Sequence, residues 1–375
     1  MKILITGGAG FIGQHLARFL LERNVSLTII DNFLPQVHGE AGQIPLDLAA
    51  RVHLVRGDVA DPSAMQEALR GIDRIVHLAA ETGTGQSMYE VGRYARTNLE
   101  GTAQIFDVLA KTPNRKLDRI VVASSRAIYG EGAYECEQDG MVYPQPRSSA
   151  EKQAGNFDPS CPVCKRACRA AATPESAPAH PSSFYGLTKL TQEQMVLLFG
   201  HVLDIPSVAL RYQNVFGPGQ SLQNPYTGIL AIFSNLARVG QPIRVFEDGM
   251  ESRDFVYIDD VVAATATALL APIEGCHSIN VGSGERTTVL EVAEQINAYF
   301  GSRSTVEVTG AFREGDVRHG FADLTRAGQL LEYRPAWSFR EGLKRFLVWA
   351  ERSEPSTGGY ERSLVEMRDR GLLRD

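Results

Sequence analysis

The stretch Ile3-Leu4-Ile5-Thr6-Gly7-Gly8-Ala9-Gly10-Phe11-Ile12-Gly13 decides the fold of this chain. An apolar strand leads into three spaced glycines, and the apolar residues that follow recur at helical spacing. Glycines permit positive φ and let backbone N–H groups approach an anion, and the dipole of the next helix favours a pyrophosphate at its N-terminus. We therefore predict a strand, a tight turn and a helix that bind a dinucleotide through Gly7, Gly10, Phe11, Ile12 and Gly13.

A second apolar strand, Leu27–Asp31, ends on an acid 18 residues after Gly13. A carboxylate at this place accepts hydrogen bonds from an adenosine ribose, and its charge repels a 2′-phosphate. We therefore expect the cofactor to be NAD rather than NADP, with Asp31 as the selecting residue and Asn32 beside it.

Composition excludes several classes of protein. The 375 residues suffice for a large core, and 43% hydrophobic with 22% charged residues is ordinary for a soluble globular protein. A net charge of −6 lacks the basic footprint of a nucleic-acid binder. No apolar run is long enough to span a bilayer, and a core strand occupies the place of a signal peptide. We expect a cytoplasmic protein without nucleic-acid or membrane partners.

Short β-branched runs continue along the chain and alternate with helical patterns such as Pro62–Leu69 and Thr102–Ala110. Strands that are apolar throughout and alternate with helices are typical of a parallel sheet covered on both faces. The expected fold is α/β, a doubly wound Rossmann sheet. The further strands are expected at Val52–Arg56, Arg74–Leu78, Arg119–Ser124, Ser207–Arg211 and Ser278–Val281.

The pattern becomes less regular beyond residue 212 and predicts a second, interleaved lobe. We expect the cofactor domain over 1–212 with returns near 254–282 and a cysteine-bearing insert at 131–181. The smaller lobe is expected over 213–253 and 283–349, with a substrate cleft between the two. Residues 350–375 are expected to form a surface appendage without a chemical role.

Ligands of such sheets lie at the carboxyl ends of the strands, where small and polar residues accumulate in this chain. Asp58 follows the third strand and is placed to hydrogen-bond the adenine amino group. The small side chains after the fourth strand would let the cofactor pass. These positions add Asp58, Val59, Leu78, Ala79 and Ala80 to the predicted cofactor site.

Tyr185 and Lys189 lie four residues apart, which places a phenol and an ammonium on one face of a helical turn. The ammonium and a nearby positive nicotinamide would lower the pKa of the phenol. Tyr185 is therefore the predicted general base.

Together these motifs resemble the extended short-chain dehydrogenase/reductase family, and most closely its nucleotide-sugar epimerases and dehydratases. The resemblance runs through Thr6–Gly13, His77–Ala80, Ala123–Gly130, Tyr185–Lys189 and Arg211–Gly217. It implies that Ser125 hydrogen-bonds the reacting sugar oxygen and that Lys189 also holds the nicotinamide ribose. It adds Asn98 and Tyr212 to the cofactor site.

The same resemblance implies a nucleotide-sugar site in the second lobe. Its guanidinium groups would bind phosphate oxygens bidentately. Val245, with Phe246 beside it, would flank the base, and Asp316 would accept from a nucleoside hydroxyl. The implied substrate residues are Thr84, Ser125, Asn214, Val245, Arg253, Arg313 and Asp316.

The two residues after Ser125 distinguish between reactions of the family. A 4,6-dehydratase resembling this chain would carry Asp-Glu there, and a glucuronate decarboxylase a glutamate, whereas this chain has Arg126 and Ala127. Neither side chain supplies a general acid or base, so the expected reaction is 4-epimerization through a transient 4-keto sugar with NAD regenerated. Residues 81–89 and the long insert look most like bacterial epimerases of dTDP-6-deoxyhexoses such as dTDP-L-rhamnose. The alternatives are a 4,6-dehydratase, a 4-ketoreductase, or a non-catalytic NAD-binding regulator.

The insert carries Cys136, Cys161, Cys164 and Cys168. Cys161-Pro162-Val163-Cys164 has the spacing of a zinc knuckle, and a tetrahedral zinc needs two further ligands. Cys136 with either Asp139 or Cys168 would complete the set. The hypothesis is a structural zinc, and the alternative is a group of reduced thiols without a metal.

The resemblance also predicts the oligomeric state. Helical runs near Asn98–Ala110 and Tyr185–Phe199 match those through which members of the family form a four-helix bundle. We therefore expect a homodimer.

Overall fold

A seven-stranded parallel sheet forms the centre of the protein. The computed structural model describes residues 1–39, 42–112, 117–224, 226, 228–355 and 358–374. The strands of the sheet, numbered along the chain, are β1 (Lys2–Thr6), β2 (Ser26–Asp31), β3 (Val52–Arg56), β4 (Arg74–His77), β5 (Arg119–Ser125), β6 (Ser207–Tyr212) and β7 (Cys276–Val281).

The order of the strands across the sheet is β7-β6-β5-β4-β1-β2-β3. It reverses at β1, where Thr6 pairs with Ile30 of β2 on one side and with His77 of β4 on the other. A reversal of this kind opens a crevice at the carboxyl ends of the strands, which is where ligands of doubly wound sheets bind. The predicted α/β Rossmann fold is confirmed.

Helices cover both faces of the sheet. One face packs on Leu16 and Leu20 of the first helix, and the other on Ile105, Phe106 and Val196. The helix Pro62–Ala68 begins where its sequence predicts, because Asp61 caps it by accepting from Ser63 N and Ala64 N. The helices around the sheet are Phe11–Leu21, Pro35–His38, Leu46–Ala49, Pro62–Ala68, Thr84–Ser87, Val91–Tyr94, Gly101–Ala110, Phe184–Val202 and Ile258–Leu270, with a π-helical turn at Ala95–Glu100 and a 3₁₀ turn at Arg126–Ile128.

Short strand pairs and helices follow β6. Asn214–Phe216 pairs with Phe255–Tyr257, and Ile243–Val245 pairs with Val306–Val308. Ser252–Arg253 lies between Thr287–Thr288 and His319–Gly320. The helices of this part are Ile229–Val239, Val289–Tyr299, Thr325–Leu331 and Phe339–Ala350.

The insert forms a small antiparallel sheet of its own. Tyr134–Cys136 lies between Gly140–Val142 and Arg169–Ala170. The helix Ser149–Gln153 follows a capping box formed by Ser148 and Glu151.

The C-terminal segment is integrated into the fold rather than standing apart as the expected appendage. The helix Gly358–Asp369 buries Leu364 and Met367 against Ala311, and the strand Leu373–Arg374 pairs antiparallel with Phe312–Arg313. Within the described ranges, none of the helices combines the length and apolarity needed to cross a membrane.

Candidate active site

The glycine turn after β1 leaves room for a ligand against bare backbone. Gly7 has φ +66°, and a Cβ there would lie 2.8 Å from Ala79 N. A Cβ on Gly13 would lie 2.6 Å from Gly8 Cα. Only glycine fits either place. The residues therefore suit a dinucleotide whose pyrophosphate rests on the turn and on the N-terminus of the following helix.

Asp31 lies at the end of β2, buried beside this turn. Its carboxylate accepts hydrogen bonds from Ala9 N at 3.0 Å and Phe33 N at 2.9 Å. His38 Nε2 lies 3.4 Å from the same carboxylate, a neighbour that sequence reasoning did not identify. Gly7, Asp31, Asn32, Val59, Ala79 and Ala80 line one cavity with His38.

Three predicted cofactor residues do not line the cavities around this crevice. Asp58 accepts a hydrogen bond from Ala60 N at 2.8 Å and shapes the loop after β3. Asn98 is fully buried. Its Oδ1 accepts from Glu81 N at 2.8 Å and its Nδ2 donates to Thr188 Oγ1 at 2.9 Å, so it supports the wall of the cavity without lining it. Gly10 donates its N–H to Gly7 O and closes the turn. The sequence predicts these three residues from their type and their order along the chain. The direction in which each group points depends on the packing around it.

A second cavity, of about 400 Å³, continues from the glycine turn to the ends of β5 and β6. It brings together residues that are more than a hundred positions apart in the chain, because parallel strands end at one edge of the sheet. The predicted residues that line it are Gly7, Phe11, Ile12, Gly13, Leu78, Ala80, Ser125, Tyr185, Lys189 and Tyr212.

Tyr185 lies in the first turn of the helix Phe184–Val202. Ser183 caps that helix by accepting from Gly186 N at 3.1 Å, and Tyr185 N donates to Ser87 Oγ at 3.0 Å. Burial raises the pKa of Tyr185, while its hydrogen bond with Ser125 and the charge of Arg126 lower it. The charge of Arg126 thus lowers the pKa of Tyr185, an effect that we expected from Lys189.

Lys189 belongs to a buried polar network that the sequence did not predict. Its Nζ donates to Gln192 Oε1 at 2.7 Å, and Gln192 Nε2 lies 3.1 Å from His77 Nε2. Burial lowers the pKa of Lys189 to about 7, opposed by Glu193. Burial and the Lys189 charge lower the pKa of His77 to about 3, so His77 is neutral near pH 7. Gln192 therefore fixes the position of the ammonium.

A third cavity, of about 150 Å³, lies next to the predicted catalytic residues and is lined by four arginines. Arg313 Nε lies 3.1 Å from Asp316 Oδ2, and Arg126 Nε donates to Asn214 Oδ1 at 2.7 Å. Burial raises the pKa of Asp316, but Arg313, Arg253 and Arg126 together outweigh it and the pKa is lowered. The cavity is lined by the predicted Thr84, Asn214, Arg253, Arg313 and Asp316, and by Arg126, Tyr226, Arg244, Phe246, Glu251 and Tyr360.

Two differences from the expected substrate site have clear structural causes. Val245 is fully buried in the core, whereas its neighbours Arg244 and Phe246 line the cavity, because successive side chains of a strand point to opposite faces. Tyr360 reaches the cavity from the C-terminal helix, and Glu366 of that helix accepts from Tyr89 and Tyr226 at 3.1 and 2.9 Å. These tertiary contacts carry no local sequence signal.

The cavity around the predicted catalytic residues is lined by no carboxylate among the described residues. Ala127 N donates to Ser125 Oγ at 3.1 Å, and the side chain of Arg126 extends toward the arginine-lined cavity instead. Glu251 and Asp316 lie in that neighbouring cavity. The cavity lined by Ser125, Tyr185 and Lys189 thus offers a hydroxyl, a phenol and an ammonium, but no acidic pair among the described residues that line it.

The insert brings Cys136, Asp139, Cys161 and Cys164 together, with one donor atom of each within 4.8 Å of all the others. Cys168 stands outside this group, and its Sγ donates to Pro159 O at 3.2 Å. The structure therefore places Asp139, rather than Cys168, beside the other three cysteines.

The comparisons with known proteins identify the family of the chain. A sequence model described as the NAD dependent epimerase/dehydratase family matches residues 3–156 and 162–282. The chain belongs to this family. Its NAD-binding Rossmann fold and its resemblance to the extended short-chain dehydrogenases are thereby confirmed.

Individual relatives match almost the whole chain. A dTDP-L-rhamnose 4-epimerase of Burkholderia thailandensis is 41% identical over 93% of this chain and 94% of its own length. A UDP-N-acetyl-alpha-D-glucosaminuronate decarboxylase of Bacillus cytotoxicus is 27% identical over 93% of this chain and 97% of its own length. The solved structure of UDP-glucuronic acid 4-epimerase from Bacillus cereus, in complex with UDP-glucuronic acid and NAD, matches with a TM-score of 0.76 at 27% identity, covering 94% of this chain and 99% of that one.

Proposed function

We propose that this protein is an NAD-dependent 4-epimerase of a nucleotide sugar, acting on a dTDP-6-deoxyhexose such as dTDP-L-rhamnose. The observation that carries the proposal is the catalytic cavity, in which Ser125, Tyr185 and Lys189 meet and whose described lining includes no Asp or Glu. The 41% identity with the dTDP-L-rhamnose 4-epimerase supports the choice of sugar.

Tyr185 is the catalytic base of the proposal. Its phenolate takes the proton of the sugar 4-hydroxyl, and Ser125 hydrogen-bonds the same oxygen. The hydrogen bond with Ser125 and the charge of Arg126 favour the phenolate in a buried place that otherwise favours the phenol. When the ketone is reduced again, Tyr185 returns the proton, so the base ends the cycle in its starting form.

Bound NAD would supply the redox chemistry, as hydride acceptor and then hydride donor at carbon 4. Gly7, Gly13 and Asp31 would hold NAD, and Lys189 is placed for the nicotinamide ribose. The two half-reactions cancel, so no second redox substrate is consumed. The sugar must turn between them while its diphosphate stays bound.

The arginine-lined cavity suits the diphosphate of such a substrate. Arg126, Arg253 and Arg313 present guanidinium groups there, and a diphosphate accepts bidentate hydrogen bonds from such groups. Phe246 and Tyr360 offer apolar faces for the base. An anchored diphosphate leaves the hexose free to present either face to the cofactor.

The absence of an acidic pair beside Ser125 distinguishes this proposal from a dehydratase. Water elimination from a 4-keto sugar needs one group to remove a proton and another to donate one to the leaving hydroxyl. Arg126 keeps its positive charge near pH 7, since its pKa, lowered by burial and by Arg253, is about 9. Ala127 has no ionisable group, so epimerization is the outcome that these residues favour.

The test is incubation of the purified protein with dTDP- and UDP-hexoses, dTDP-L-rhamnose included, with the sugar protons followed by NMR and the reduced nicotinamide by absorbance. We expect a new 4-epimer without net NADH. Loss of sugar signals through water elimination would assign a dehydratase, and stoichiometric NADH consumption a ketoreductase.

Two variants make the test specific. Tyr185→Phe is expected to bind NAD with unchanged affinity and to lose turnover. Ser124→Ala is the neighbouring control, because Ser124 Oγ donates to buried Glu193 at 2.5 Å and is not assigned to the reaction. Turnover retained by Tyr185→Phe would contradict the assignment of the base.

The proposal includes the assembly of the protein. We expect a cytoplasmic homodimer formed through the helices Gly101–Ala110 and Phe184–Val202. On the second helix, the apolar side chains of Leu187, Leu198 and Val202 are 46, 59 and 65% exposed in the single chain. A second copy of the chain in the proposed dimer would cover them. Residues 213–253 and 283–349 are proposed as the nucleotide-sugar lobe. Zinc in the insert would be structural, since hydride transfer needs no metal.

A further inference from the structure

We infer that Cys136, Asp139, Cys161 and Cys164 bind one zinc ion, which orders the insert that contacts the segment carrying Arg313 and Asp316. The donor set is three thiolates and one carboxylate, all ligands that zinc takes in tetrahedral sites. With four protein ligands the metal has no open position, so its role is structural. The inference concerns a site separate from the epimerase chemistry.

Two tight turns present these residues in the same way. Cys136 and Asp139 are three residues apart in the turn that ends at Gly140, which has φ +69°. Cys161 and Cys164 are also three apart, in a turn closed by Lys165 N to Cys161 O at 3.0 Å. Lys165 has φ +62°, the left-handed conformation that reverses the chain after the second ligand. The two turns form a Cys-x-x-Asp and Cys-x-x-Cys pair.

The distances between the donor atoms fit a zinc ion between them. Tetrahedral zinc with bonds of about 2.3 Å to sulfur and about 2.1 Å to oxygen places its ligand atoms about 3.6–3.8 Å apart. Cys136 Sγ lies 3.5 Å from Cys164 Sγ and 3.5 Å from Asp139 Oδ2. Cys161 Sγ lies 3.2 Å from the same Oδ2. A disulfide would instead need sulfur atoms about 2.0 Å apart.

The hydrophobic cluster around the small sheet of the insert contains few residues. It has four buried members, Tyr134, Cys136, Val142 and Cys161, and two of these are proposed ligands. So few buried side chains supply little hydrophobic free energy, and small units of this kind are commonly held by a metal. Thiols placed in the centre of a small core are explained by metal binding.

The insert forms hydrogen bonds and ion pairs with the segment that lines the arginine-lined cavity. Arg147 donates to Glu247 at 2.8 Å and to Asp316 O at 3.1 Å, and Lys152 lies 2.7 Å from Glu314. Glu131, next to the small sheet, accepts from Arg318 N at 2.7 Å. Apart from the contact with Glu247, these contacts are made with residues 314–318, which follow Arg313 directly. A metal that orders the insert therefore positions nucleotide-binding residues without touching the nucleotide.

The first experiment is measurement of zinc in the gel-filtered full-length protein by mass spectrometry. We expect one zinc per chain in the wild type and in the controls Cys168→Ser and Cys276→Ser. Cys161→Ser is expected to lose the metal. A wild-type protein without stoichiometric zinc after growth in zinc-supplemented medium, or with Cys136 and Cys164 oxidised to a disulfide, would overturn the inference.

Cobalt replacement tests the fourth ligand independently of folding defects. Co²⁺ in place of zinc gives visible absorption bands that report tetrahedral geometry and the number of thiolates. We expect Asp139→Cys to keep the metal and to strengthen the thiolate charge-transfer band, and Asp139→Ala to weaken metal affinity about tenfold or more. An unchanged cobalt spectrum in Asp139→Cys would refute the role of Asp139.

Binding of dTDP and of NAD to metal-free protein tests the proposed consequence. We expect dTDP affinity to fall about tenfold because the phosphate-binding wall is displaced, while NAD affinity changes less than about twofold. Both measurements are independent of turnover, although the choice of dTDP rests on the proposed function; the zinc and cobalt measurements do not depend on it. Unchanged dTDP affinity without the metal would refute the positioning role.

Discussion

Replacement of Gly7 by alanine is the sharpest test of the cofactor site. The new Cβ would lie 2.8 Å from Ala79 N and 2.9 Å from Ala79 Cα, and the residue would have to keep φ +66°. Ala79 cannot retreat easily, because Leu78 N donates to Thr6 O at 3.1 Å and ties this backbone to β1. The left-handed conformation costs about 1–2 kcal/mol and the overlap about 1–3 kcal/mol.

Gly301→Ala is the matched control for this substitution. Gly301 has φ +80°, and a Cβ there would have nothing within 4 Å. It therefore carries the conformational cost of about 1–2 kcal/mol without the overlap. We expect Gly7→Ala to lower the free energy of unfolding by about 2–5 kcal/mol in total, and Gly301→Ala by the smaller amount alone.

The assays are chemical denaturation for stability and calorimetric titration for NAD affinity. We expect Gly7→Ala to bind NAD at least about tenfold more weakly, a loss of about 1.4 kcal/mol, because the turn and Ala79 must move apart. Gly301→Ala should bind NAD as the wild type does. The reasoning is refuted if Gly7→Ala retains wild-type affinity, or if the two variants lose stability equally.

Three further predictions concern the other parts of the site. Asp31→Ala removes a charged acceptor worth about 1.5–3 kcal/mol, so the Kd for NAD should rise about 10- to 100-fold while the Kd for NADP changes less, and equal losses would contradict Asp31 as the selector. Arg126→Gln removes a cation that lowers the pKa of Tyr185, so the acidic limb of the kcat/KM profile should move to higher pH; an unmoved limb would exclude this coupling. Tyr360→Ala should raise KM for the nucleotide sugar about 2- to 10-fold with unchanged NAD affinity, whereas the exposed control Tyr299→Ala should leave both constants unchanged.

The residues that the sequence predicts are recognised by their type and by their spacing along the chain. The glycines at 7 and 13, the acid at 31 and the pair Tyr185–Lys189 carry their spacing in the sequence itself, and the structure places all of them at the predicted crevice. The strands were predicted to within one or two residues, because buried parallel strands are continuous apolar runs. Order along the chain is enough to predict these features.

The errors concern the direction of side chains and contacts between distant segments. Val245 was assigned to the base, but strand alternation turns it into the core and exposes Arg244 and Phe246 to the cavity. Asn98 was assigned to NAD; in the structure it accepts from Glu81 N and donates to Thr188 Oγ1, and its contact with NAD stays a prediction. Of the two alternatives left open for the cysteine group, the structure places Asp139 there and not Cys168.

The sequence by itself determined the Rossmann fold and the cofactor class, because both depend on residue type at short, regular spacing. The same kind of spacing predicts Tyr185 and Lys189 as catalytic residues, and the family resemblance adds Ser125. Only the tertiary structure decided that Arg126 is the cation acting on Tyr185, which residues complete the cysteine group, and that the C-terminal helix brings Tyr360 to the arginine-lined cavity. The physical reason is that electrostatic and packing effects depend on distance in space, and residues far apart in the chain become neighbours only when the sheet and its helices are assembled.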